Sequence, residues 1–132
     1  MNGAKKIIPD TNILLRYLLQ DHDEHYHEAE AFFEKVRNGE TEAIVLESVL
    51  VETVYVLNKY YAVPREAIAD TLKDLLRYKG VSMHDREKMM KALDLYALDV
   101  VEMVDCLLAV HGREKGSSVL TFDKKLMKLC KK

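Results

Sequence analysis

Apolar positions along the chain fall into two alternating rhythms. Short, almost wholly apolar runs at residues 4–9, 43–48, 81–83 and 117–121 read as buried strands. Between them lie longer stretches in which apolar residues return every three or four positions. Ile13, Leu14, Tyr17 and Leu18 mark a helix over 11–20, and Tyr26, Ala29, Phe32, Phe33 and Val36 mark another over 21–36, stopped by Asn38-Gly39. Residues 47–60 are apolar almost all round, which predicts a buried helix. Pro64 opens a helix to about residue 78, and Asp85 is placed to cap one over 85–97. Further helices are expected over 103–115, closed by Gly116, and over 123–130. Strands that alternate with helices, each strand short and apolar, imply an α/β fold: a three-layer α/β/α arrangement with a short parallel sheet of four to five strands flanked by helices.

Composition narrows the setting. The 132 residues suffice for one domain, 1–132, with a real core. No apolar run approaches the roughly 18 to 20 residues that span a bilayer, so no membrane is expected. The opening MNGAKKIIPD lacks the apolar segment of a secretion signal, which points to the cytoplasm. Cys106 and Cys130 stand far apart without metal or redox spacing and are expected to be reduced. A net charge of −2 makes no global case for a polyanionic partner. If the chain acts on RNA, something local must offset its acids.

Four acids carry the candidate chemistry. Asp10 and Asp123 each fall just past an expected strand, where the ligands of parallel sheets gather around a reversal of strand order. Glu52 and Asp105 sit among apolar neighbours on expected helices, and a lone buried carboxylate is costly unless neutralised, paired or metal-bound. Plainer roles stand beside these: a helix N-cap for Asp10, a salt bridge for Glu52, a favourable first-turn position for Asp105. Gathered together, the four would form a hard-oxygen cluster suited to Mg²⁺ or Mn²⁺. One or two such ions can activate water and stabilise the leaving oxygen of a phosphodiester.

The segments IIPDTNILLRYL, VLVETVYVL, VDCLLAV and VLTFDKKL, in this order, resemble the four acidic signatures of the PIN-domain family, in particular the VapC-like toxin ribonucleases of type II toxin–antitoxin systems. The resemblance implies a PIN-like fold and a metal-dependent endoribonuclease. Asp10, Glu52, Asp105 and Asp123 would be its catalytic, metal-binding carboxylates, and Thr11, Asn12 and Thr121 supporting polar residues. It further implies an RNA substrate, a homodimer and a small antitoxin partner. Glu102, three residues before Asp105, could join the site from outside, and Arg16, on the helix that starts at Asp10, is a candidate phosphate contact. A housekeeping RNA-processing nuclease, or a PIN module that binds RNA or protein without cutting, is the alternative within the same fold.

Other patterns carry less. The run from His22 to His27 holds three histidines, none at the i, i+4 spacing of a helical zinc site, and reads as a solvated segment. His84 and His111 are isolated, and the basic terminus KKLMKLCKK reads as a solvated helix face. A receiver-like phosphoacceptor domain would need an acidic pair that is absent. A haloacid-dehalogenase-like phosphatase would need Asp where this chain has Asn12.

Overall fold

The computed structural model describes residues 5–21 and 24–131. His22 and Asp23 of the histidine run, and the expected start of the first strand at residue 4, lie outside them. Strand β1 is Lys6–Ile7, followed by helices α1 (Thr11–Leu19) and α2 (Glu24–Asn38). Strand β2 (Glu42–Ile44) leads to α3 (Glu47–Lys59) and α4 (Arg65–Leu76), and β3 (Val81–Ser82) to α5 (Arg86–Leu98), α6 (Met103–Gly112) and α7 (Lys124–Cys130).

The strands pair in parallel in the order β1-β2-β3, with Ile7 opposite Ala43 and Ala43 opposite Val81. Parallel neighbours need crossovers long enough to return the chain, and each is a helix pair here. Against the sheet, the apolar stripes of the helices close a core in which Leu14, Phe33, Val36, Leu50, Leu72, Leu76 and Leu93 are fully buried. Burial of each such side chain contributes about 1.5–3 kcal/mol. Ala109, Leu126 and Leu129 form a smaller cluster that seats α7 on α6.

One close approach fixes the junction of α2, β2 and β3. A Cβ added at Gly80 would lie 2.2 Å from the Thr41 carbonyl oxygen and 2.7 Å from that of Val36. The Gly80 amide donates to Val36 at 2.8 Å and its carbonyl accepts from Ala43 at 2.8 Å. Only glycine lets these backbones meet. Nearby, Arg37 donates to the hydroxyls of Tyr17 (3.1 Å) and Tyr78 (2.6 Å), tying α1 and α2 to the turn after α4. Burial first, then the bond to Tyr17, pushes the Tyr78 phenol well above its ordinary value.

Several expectations need correction. The described sheet has three strands rather than four to five, and residues 117–121 form no ladder. Leu120 and the adjoining Phe122 are each 98% exposed, since a short apolar run suits a strand without specifying what it pairs with. Described strand order does not reverse, so no switch-point crevice arises there. Helix α3 is not buried all round: Glu52 and Tyr55 face outward. Helix α6 stops at Gly112 rather than near 115. Asp85 does occupy the N-cap of α5, but in a left-handed conformation (φ 54°) with no capping bond from its side chain.

Candidate active site

Asp10 follows β1 and caps α1, its carboxylate accepting the Ile13 amide at 3.1 Å. The capping role and an exposed carboxylate therefore coexist in one residue. Immediately after it, the Thr11 hydroxyl donates to Glu52 Oε1, a bond between residues 41 positions apart. Packing of α1 on α3 thus sets Glu52 against the neighbour of Asp10. Asn12 is exposed on the same first turn.

Asp105 lies half-buried in the first turn of α6, where the helix dipole favours a negative charge, and has no hydrogen-bond or ionic partner among the described residues. Asp123 caps α7, accepting the amides of Lys125 (2.8 Å) and Leu126 (3.1 Å). The Thr121 hydroxyl accepts the Asp123 amide at 3.0 Å, so Thr121 fixes the turn that presents this acid. Glu102 is drawn instead to Lys59, 3.5 Å away.

None of the four acids forms an ion pair with a described lysine, arginine or histidine, although eight such pairs occur elsewhere. The salt-bridge alternative for Glu52 is thereby removed, as is the expectation that Glu52 is buried. Hard carboxylate oxygens without counter-cations suit Mg²⁺ or Mn²⁺ in their chemistry. Their arrangement does not: among the described residues no three His, Cys, Asp or Glu side chains are gathered closely enough to hold a metal ion. What the fold brings together is Thr11 with Glu52, and Thr121 with Asp123.

Arg16 is committed elsewhere. It pairs with Asp21, donates to the Tyr61 hydroxyl at 3.2 Å, and its side chain is 16% exposed, so it is not retained as a phosphate contact. Two residues that the sequence reading set aside, His111 as isolated and Tyr55 as a core or interface aromatic, stand beside Glu52. Tyr55 and His111 line, with Glu52, a groove of about 610 Å³ between α3 and α6 whose floor includes Val51, Val104 and Leu108. Their signal was available in outline, since Glu52 and Tyr55 are three apart on one helix, as are Leu108 and His111 on another.

The model of the PIN domain matches residues 7–132, which include all four acids. The chain belongs to the PIN domain family. Its three described strands are thus those of a PIN domain, whose first acid stands where β1 hands over to α1. This PIN domain is also similar to a VapC ribonuclease of Aquifex aeolicus (strain VF5), with 28% identity over 121 residues, covering 91% of this chain and 89% of that protein. Among the described residues no helix is long and apolar enough to cross a membrane.

Proposed function

We propose that this chain, as a single PIN nuclease domain, is a metal-dependent endoribonuclease of the VapC type, acting on RNA phosphodiester bonds in the cytoplasm. The observation that carries the reading is a set of four carboxylates that have no cationic partner among the described residues, in the segments that resemble the family's acidic signatures. Charges left uncompensated in this way attract cations, and the donor set is one that hard divalent ions prefer. Asp10, Glu52, Asp105 and Asp123 are the residues assigned to catalysis and to one or two Mg²⁺ or Mn²⁺ ions. As placed they do not compose an ion site, so ion dependence rests on donor chemistry and family. Thr11 holds the Glu52 carboxylate, and Thr121 holds the turn of Asp123. A small antitoxin partner and a homodimer complete the reading, as the resemblance to VapC-like toxin ribonucleases implies.

The test uses the purified full chain on single-stranded RNA. Cleavage is expected with Mg²⁺ or Mn²⁺ and none in excess EDTA. Asp10→Asn and Asp105→Asn abolish cleavage; Asp10→Asn leaves the melting curve unchanged, because asparagine caps a helix as well as aspartate does, and Asp105→Asn loses at most about 1 kcal/mol of favourable interaction with the α6 dipole. Cleavage by either variant at the wild-type rate, under matched metal, refutes the assignment.

A further inference from the structure

The surplus of acid in this chain is unevenly spread. Residues 113–132 hold seven of the 20 lysines and arginines but two of the 22 acids, a formal charge of +5 beside −7 over residues 1–112. Asymmetry of this kind marks a surface that meets a polyanion. Helix α7 displays it. Leu126 and Leu129 are buried against α6, and helical periodicity places Lys124, Lys128 and Lys131 together on the opposite side, in a stripe about 10 Å long. All three lysines are exposed, and none has an ion-pair partner among the described residues. Screening in physiological salt acts over about 8 Å, so neighbours on the stripe pull together on one chain of phosphates.

The stripe begins beside one of the assigned acids. Lys124 follows Asp123 directly, and Asp123 caps the same helix. Phe122, the residue before that acid, is 98% exposed. A bare aromatic ring beside unpaired cations suits a single-stranded nucleic acid, whose phosphates take the charges while its bases stack on the ring. An acidic peptide would use the charges and leave the ring idle. A lipid surface takes up the apolar face of a helix, and α7 has committed that face to α6.

Building on the nuclease reading, we propose that Lys124, Lys128, Lys131 and Phe122 form the surface that holds the RNA, with phosphates along α7 and one unpaired base on the ring, so that the adjoining stretch of RNA passes Asp123. The lysines and Phe122 are positioning residues in this scheme. They supply the local attraction that a chain of net charge −2 otherwise lacks.

The experiment measures binding of the full chain to a fluorescent single-stranded RNA by anisotropy, in EDTA so that no cleavage intrudes, over a series of salt concentrations. Three phosphate contacts to a single strand contribute about 2 to the slope of log affinity against log salt. The triple variant Lys124→Gln, Lys128→Gln, Lys131→Gln is expected to lose that much of the slope and to bind about a hundredfold more weakly at about 0.1 M salt. Its melting curve stays that of wild type, because the three side chains are exposed and unpaired, and arginine at the same positions keeps both affinity and slope. Phe122→Ala weakens binding about five- to a hundredfold at every salt concentration and leaves the slope alone, whereas Phe122→Trp keeps full affinity. Unchanged affinity and slope in the triple variant overturn the proposal, and leave the nuclease reading standing if the wild type cleaves. Full affinity of Phe122→Ala overturns it as well. So does polyglutamate, or a phosphatidylserine vesicle, that binds wild type as tightly as RNA and is lost in the triple variant, which marks α7 as a docking surface for that partner instead. A wild type that binds RNA through the stripe yet cuts none with Mg²⁺ or Mn²⁺ supports the surface and overturns the nuclease reading; one that neither binds nor cuts overturns both.

Discussion

Arg65, the first residue of α4, holds the chain between α5 and α6 by its carbonyls. Its Nε donates to Tyr96 at 2.8 Å, and its Nη2 to Asp99 at 2.8 Å and to Val101. The guanidinium also lies over the Tyr96 ring, 3.7 Å from the centroid. Arg65→Met keeps much of the apolar stem and removes all of these bonds. A hydrogen bond from a charged donor is worth about 1.5–3 kcal/mol and the cation–π contact about 1 kcal/mol, but the site is half-buried and water recovers part of the loss. A net cost of about 2–4 kcal/mol follows. With an unfolding entropy near 0.28 kcal/mol/K for a chain of this length, Tm falls by about 7–14 °C. Arg65→Lys recovers less than half, because a point donor cannot reach three carbonyls in a fork. Thermal melts followed by circular dichroism, with urea unfolding beside them, read this directly. An Arg65→Met protein melting within about 2 °C of wild type would refute the reasoning.

Gly80→Ala is expected to cost about 3 kcal/mol, the upper end for overpacking, since the new methyl meets two backbone oxygens; the urea midpoint measures it. Cys106 is buried, and burial pushes its thiol up to about 11 from 9.0, so it stays protonated and slow towards a disulfide reagent at pH 8 while the half-buried Cys130 reacts first. The raised value also sets a pH dependence: the contribution to stability is complete below pH 9 and lost as pH rises towards 11, where the unfolded thiol ionises and the folded one resists. Unfolding titrations across that window show the decline in wild type and lack it in Cys106→Ala.

Much of the molecule was legible because its signals are local. Periodicity located α1 and α3 almost to the residue, Pro64 opened α4, and the position of Asp10 after an apolar run offered the cap that it forms. Pairing is a different matter. Residues 117–121 have the composition of a strand, yet whether they join a sheet depends on an edge elsewhere that no local pattern encodes. Glu52 shows the same limit. Its neighbours are apolar, but burial depends on whether α6 closes over that face, and the two helices leave a groove instead. Arg16 looked available from its place on α1, whereas its partners Asp21 and Tyr61 come from a turn and a loop. Arg65 gave no signal at all, because its partners are backbone carbonyls, which every sequence has.

The fully exposed Leu120 and Phe122 give the molecule a tether. On one side lies the body that carries Asp10, Glu52 and Asp105; on the other, α7 with Asp123, seated by Leu126 and Leu129 and by Arg113 donating to the Leu129 carbonyl at 2.7 Å. A protease that favours large apolar residues finds its site there, and one nick would sever the covalent link between the last acid and the other three.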